Sequence, residues 1–283
     1  MVTPRNELSP EPEDEIQRII DETGMKNNKD QERVFRIIGE HFVSRAHDQL
    51  LMYMMGIGSS GKTYVINALA LLFQRCDASE KMLLSAPTGS AAVLIGGYTI
   101  HALMFLPSNR YPVDQIKLED IWRHVKYLMI DEISMVSPIL LSQISRRVCE
   151  AKAWDTTVAG LPFGGVNVIF TGDFGQLPPL TSYSLFSYRL VNALRVDVME
   201  TYDGQAALHG AYLWRQVNQV VELRKNFRAA RDPRFINLLQ RIQAGIGYKG
   251  IASLSVEQGG VGENYNQSDF DVLNERRVDV MSN

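Results

Sequence analysis

The sequence predicts an α/β protein built on a mainly parallel sheet with helices on both faces. Three observations lead there. Short apolar runs alternate with helical patterns along the middle of the chain, as the crossovers of a parallel sheet require. The run LLMYMM leads directly into GIGSSGKT and then into YVINALALLF, a strand, a loop and a helix in succession. The polar clusters DEIS and GDFGQ each follow another apolar run. Ligands of such sheets bind beyond the carboxyl ends of the strands, which is where all three clusters fall.

The elements follow in order. Residues 1–12 are polar and acidic and are expected to be a flexible tail. EDEIQRIIDE predicts a short helix with Ile16, Ile19 and Ile20 on one side. A stronger helix starts near Asn28, because Val34, Phe35, Ile37, Ile38 and Phe42 form an apolar stripe at helical spacing. Then come the strand LLMYMM, a helix from Lys62, the strand KMLLSA and a helix through SAAVLI. The strand YLMID, a helix after Pro138, the strand VNVIFTGD and the segment VVELR complete the alternation. Residues 246–268 are rich in Gly, Ser, Asn and Gln and are expected to be a linker. SDFDVLNERR could form one last helix capped by Ser268. The division expected is a tail with a short helix over 1–26, a nucleotide-binding domain over 27–245, and a linker with a helix over 246–283.

Composition narrows the class. A chain of 283 residues, 45% of them hydrophobic, can bury a substantial core. Net charge is −3, so a nucleic-acid site must be a local basic patch and not a global field. Two cysteines, Cys76 and Cys149, exclude a disulfide framework and suggest a reducing compartment. No apolar run approaches the ~20 residues of a membrane helix. The start of the chain does not resemble a signal or transit peptide, so the default is an intracellular soluble protein without a membrane partner.

The chemistry sits in four places. Gly56, Gly61, Lys62 and Thr63 satisfy G-x-x-x-x-G-K-[ST], with Ile57, Gly58, Ser59 and Ser60 between them. Such a loop wraps backbone N–H groups around phosphates. The Lys reaches the β and γ groups, the Thr hydroxyl ligates Mg²⁺, and the following helix points its positive end at the anion. Asp131 and Glu132 end an apolar strand, where the first suits Mg²⁺ and the second suits the general base for an attacking water. Gln176 follows another strand, and its neutral amide could read the γ-phosphate or the lytic water. An arginine must neutralise charge developing on the γ-phosphate. Spacing alone leaves Arg224, Arg228 and Arg231 open.

Together these residues resemble the superfamily 1B helicases of the Pif (petite integration frequency) type, which move 5′ to 3′ on single-stranded DNA. The matching motifs, in order, are NKDQ, GIGSSGKT, SAPTGSAA, GGYTIHALM, IDEISM, GDFGQLPP and LRKNFRAARDPRFINLLQRIQAG. The resemblance implies a RecA-like P-loop fold that binds ATP with Mg²⁺ and hydrolyses it. It implies that Gln31 reads adenine, although Gln31 also stands at capping-box spacing from Asn28. It selects Arg228 as the arginine finger. It assigns Thr88, Gly89, Thr99 and His101 to single-stranded DNA. Tyr98 and Phe105 could stack bases, but aromatic residues at such spacing are more often core.

Two departures stand out. The family's loop usually reads G-x-A-G-T-G-K-[ST], whereas here Gly58 and Ser59 stand for Ala and Gly, and Ser60 for Thr. The Cβ of Ser59 is expected to strain the loop and weaken nucleotide binding. The family also continues into a second RecA-like motor domain, which is expected after Asn283. The resemblance implies action in the nucleus, or else the mitochondrion, in DNA repair, recombination and telomere maintenance. The alternatives are a truncated or transposon-derived ATP- or DNA-binding remnant that unwinds nothing, and a nucleotide kinase, which GDFGQLPP beside TIH argues against.

Overall fold

A computed structural model of the chain describes residues 12–106, 114–180, 183–187 and 201–227. The N-terminal tail, Arg228, Arg231 and the 246–283 segment therefore lie outside the described residues. Among the described residues, six strands form one sheet: β1 (Leu51–Gly56), β2 (Met82–Ala86), β3 (Tyr98–Thr99), β4 (Tyr127–Ile130), β5 (Asn167–Gly172) and β6 (Gln219–Leu223). Their order is β3-β2-β4-β5-β1-β6, and every pair is parallel. The parallel sheet expected from the alternation is what forms.

The inner strands β1, β4 and β5 are apolar runs because both faces are covered. Their side chains divide by the period of two. Met52 and Met54 of β1, Tyr127 and Met129 of β4, and Ile169 of β5 enter one core. That core also receives α1 (Pro12–Thr23), α2 (Lys29–Val43) and α3 (Lys62–Arg75), through Ile19, Phe35 and Leu69 among others. Leu51, Tyr53, Leu128, Ile130, Val168 and Phe170 enter the opposite core. There they meet residues of α5 (Ile100–Leu103), α6 (Gln115–Trp122), α7 (Pro138–Ala151) and α8 (Tyr202–Trp214). The short α4 (Gly89–Leu94) joins the first core through Ala92.

Three helices and one strand were not legible in advance. α6 is capped by Asp114, whose carboxylate accepts from Lys117 N at 3.2 Å, and only Leu118 and Trp122 are buried on it. α8 carries a stripe of small residues, with Gly204, Ala207, Gly210 and Leu213 buried. A Cβ on Gly210 would lie 1.8 Å from Pro138 O, so close packing on α7 demands glycine despite its poor helix propensity. β3 and α5 are too short to carry a period. The two cysteines lie near helix C-termini and are half-buried. Burial pushes the Cys76 thiol up, away from reactivity.

Candidate nucleotide and nucleic-acid site

The loop from Gly56 to Thr63 joins β1 to α3 at the carboxyl edge of the sheet. Its glycines are there for space and for conformation. A Cβ on Gly56 would fall 2.2 Å from Ser60 Oγ, and Gly61 has φ +87°. Gly61 caps α3 without a side-chain acceptor, so the first-turn amides of a long helix face the loop. Lys62 Nζ lies over the same loop and donates to Gly56 O at 2.8 Å and to Ile57 O at 3.4 Å. A cradle of backbone amides with one ammonium suits the phosphates of a nucleotide.

Ser59 adopts φ +65°, so the expected strain is present. Left-handed backbone costs an ordinary residue roughly 1–2 kcal/mol. Ser59→Gly should therefore stabilise the loop and tighten nucleotide binding severalfold. A titration with a fluorescent ATP analogue checks this, and equal or weaker binding by Ser59→Gly would remove the strain argument. Gly58, expected to be harmless, has no positive φ, and a Cβ there would meet Gln176 Nε2 at 3.5 Å. That proximity carries its own information: the Gln176 amide overhangs the loop, as its sequence position suggests.

The two carboxylates emerge from β4 between the loop and the rest of the sheet. Asp131 is 7% exposed, and its Oδ1 accepts a hydrogen bond from Thr171 Oγ1 on β5. Glu132 is half-buried and left-handed, with φ 52°. Burial pushes its carboxyl up. Asp131 and Asp173 push the same way, while Lys62 opposes them. A carboxylate whose proton is held more tightly is a stronger base. Gly172, with φ +150°, packs so close to the turn after Glu132 that a Cβ would reach Ile133 N at 2.9 Å. Asp173 Oδ1 accepts from Gly175 N at 2.9 Å, and Gln176 N donates to Asp173 O at 2.9 Å. Asp173 and Thr171 were missed in the sequence, although both lie in the singled-out run VIFTGDFGQ.

Gln31 is engaged through both its backbone and its side chain. Asn28 Oδ1 accepts from Gln31 N at 3.4 Å, which is half of a capping box. The reciprocal half is absent: Asn28 N donates to Met25 O, and the buried Gln31 side chain donates from Nε2 to Ser60 O at 3.3 Å. The glutamine thus braces the phosphate loop instead of closing its own helix. Of the three arginines, Arg224 is engaged with Asp30, Nη2 to Oδ1 at 2.8 Å, and this holds the Asp30 carboxyl below its usual range. Arg228 and Arg231 lie outside the described residues.

The residues assigned to DNA share the opposite edge of the sheet. Thr88 caps α4, accepting from Ala91 N at 3.3 Å, and Thr99 caps α5, accepting from Ala102 N at 3.3 Å. β2 and β3 pair Ala86 with Thr99, which sets the two threonines near each other. A hydroxyl that accepts from a backbone amide can still donate to a phosphate. His101 and Gly89 are exposed, and a Cβ on Gly89 would meet nothing within 4 Å. Tyr98 is 60% exposed, whereas Phe105 is partly buried against the second core. β2 is three strands from β1 in the sheet, roughly 14 Å at the usual strand spacing. The phosphate loop and Gln176 thus lie at one part of the rim and Thr88 and Thr99 at another, with Asp131 and Glu132 following β4 between them.

A hydroxyl and a carboxylate, Thr63 and Asp131, are hard oxygen ligands. Among the described residues, no group of three or more His, Cys, Asp or Glu could hold a metal. A Mg²⁺ shared with nucleotide phosphates does not need such a group. The residues fit that ion.

Residues 26–249 match the family model described as PIF1-like helicase. The ATP-dependent DNA helicase RRM3 of Saccharomyces cerevisiae is 32% identical over 137 residues, covering 46% of this chain and 18% of the yeast protein. The human ATP-dependent DNA helicase PIF1 is 29% identical over 201 residues, covering 69% of this chain and 27% of the human protein. Among solved structures, Bacteroides Pif1 bound to ssDNA superimposes with a TM-score of 0.57 at 25% identity, over 87% of this chain and 48% of that one. A second, Bacteroides sp Pif1 in complex with ADP-AlF4, gives a TM-score of 0.53 at 25% identity, over 81% of this chain and 51% of that one. The matched region thus spans about a fifth to a quarter of these curated relatives and about half of the solved chains.

Proposed function

The chain belongs to the PIF1-like helicase family, and from that premise we propose that it is the ATP-binding motor portion of an ATP-dependent helicase moving 5′ to 3′ on single-stranded DNA. The observation that carries this reading is the meeting of the Gly56–Thr63 loop, Glu132 and Gln176 at one rim of the sheet. Gln176 lies against the loop, and Lys62 bears on the proton affinity of Glu132.

Each group then has one task. Lys62, with the amides of Gly56, Ile57, Gly58, Ser59, Ser60 and Gly61, binds the ATP phosphates. Gln31 orients the adenine while bracing Ser60. Thr63 and Asp131 hold Mg²⁺, which when bound neutralises phosphate charge and orients the β and γ groups. Glu132 takes the proton from the attacking water, and Gln176 orients that water against the γ-phosphate. Arg228 neutralises charge on the transferred group. Thr88, Gly89, Thr99 and His101 hold the backbone of the strand without reading its bases. Unwinding belongs to a protein with two motor lobes, because a strand is moved only when two grips change their separation. The proposed setting is intracellular, in the nucleus or else the mitochondrion, in repair, recombination or telomere maintenance.

The test uses a duplex with a 5′ single-stranded tail. Residues 1–283 alone should bind single-stranded DNA weakly, with affinity falling steeply as salt rises, because the contacts are to phosphate. They should hydrolyse ATP slowly and displace no strand. Adding a second motor domain in cis should restore DNA-stimulated turnover, and Arg228→Ala should then block it with nucleotide binding kept. Strand displacement by the 283-residue chain alone would overturn the need for two lobes. Absence of turnover in the extended protein would favour a binding remnant over a motor.

A further inference from the structure

Thr171 is a fully buried hydroxyl in a strand otherwise filled with Val168, Ile169 and Phe170. An aliphatic residue would suit such a position. Instead Oγ1 donates to Oδ1 of Asp131. The ladder sets this contact. Ile130 pairs with Phe170, so the next residues, Asp131 and Thr171, leave adjacent strands side by side. Asp131 is itself anchored, its N–H donating to Ser85 O at 2.8 Å. One carboxylate oxygen is thereby committed inside the sheet, and the other remains for a ligand. The next residue, Gly172, keeps the two strand exits in contact through its close approach to Ile133 N.

We propose that Thr171 is a positioning residue for the metal–nucleotide complex: its hydroxyl fixes the Asp131 carboxylate so that a single oxygen is offered to Mg²⁺. This rests on the ATP reading given above. The donor is neutral, so it orients the carboxylate without cancelling the charge the cation needs. An arginine or lysine in its place would orient the carboxylate and compete with the metal. Removing such an outer partner typically costs 10–100-fold in metal affinity.

The experiment is a titration of the full 283-residue chain with a fluorescent ADP analogue, once in EDTA and once across a Mg²⁺ series. Thr171→Val should shift the Mg²⁺ midpoint upward about tenfold and leave affinity in EDTA unchanged. Thr171→Ser should keep the wild-type midpoint. In an Asp131→Asn background, Thr171→Val should have no further effect on the Mg²⁺ dependence. A Thr171→Val chain with the wild-type midpoint would overturn the proposal, and so would equal losses with and without Mg²⁺, which would make Thr171 a packing residue. Should Thr171→Val fail to fold, Thr171→Cys keeps the volume with a weaker donor and is judged by the same midpoint. If the wild-type chain binds no nucleotide in either condition, the ATP reading falls and this proposal falls with it.

Discussion

Lys62→Ala is expected to abolish measurable ATP hydrolysis while leaving the fold intact. The Lys62 ammonium donates to the carbonyls of Gly56 and Ile57 in its own loop and adds nothing to either core. Its removal should change unfolding free energy by no more than the ~0.5 kcal/mol typical of a surface substitution. Its effect on phosphate is of another order. Loss of one preorganised donor at a developing charge typically costs ~10²–10³ in rate, and here the donor also contributes to binding. Phosphate release and thermal unfolding, measured together, check the prediction. Normal turnover in a folded Lys62→Ala chain would end the phosphate-loop assignment.

Glu132→Gln separates binding from chemistry. The amide keeps the size and the hydrogen bonding and cannot take a proton. ATP affinity should survive, while hydrolysis falls by the ~10²–10⁴-fold typical of a lost general base. The comparison is made in an extended protein with measurable turnover. The pH profile adds a second reading. Burial, Asp131 and Asp173 raise the Glu132 pKa above its usual 4.5, against the pull of Lys62. The base works only when deprotonated, so activity should fall as pH drops through that raised value. Residual turnover of the Gln variant should lack this acid limb. Undiminished hydrolysis would reduce Glu132 to a strand-end carboxylate.

How much of this was legible in the sequence depends on which force set each element. β1, β4 and β5 are buried on both faces, so they appear as apolar runs bounded by polar clusters. α2 was legible because Val34, Phe35 and Ile38 form a stripe and Asn28 caps it. α8 was not, because its buried face is made of Gly204, Ala207 and Gly210, chosen for close approach to α7 and not for hydrophobicity. In the site, Lys62, Asp131, Glu132 and Gln176 were visible because each follows an apolar strand. The bracing role of Gln31 was hidden, since a contact 29 residues away with Ser60 O leaves no periodic trace. Thr171 was hidden for the opposite reason: it sits inside an apolar run and passes for one more β-branched core residue.

The strand order has one more consequence. β4 stands between β2 and β5, so the proposed nucleotide side of the sheet and the proposed DNA side share it as a common wall. Tyr127, Leu128, Met129 and Ile130 are all buried, packed alternately into the two cores. Close-packed interiors compress little and pass on strain. Such a wall is stiff, and compliance is left to the connections around the rim. The sheet would then act as an unyielding plate beneath the loops of its rim. A single cavity opened at Met129 or Ile130 would soften that plate for both edges at once, so damage there would look like two separate defects with one cause.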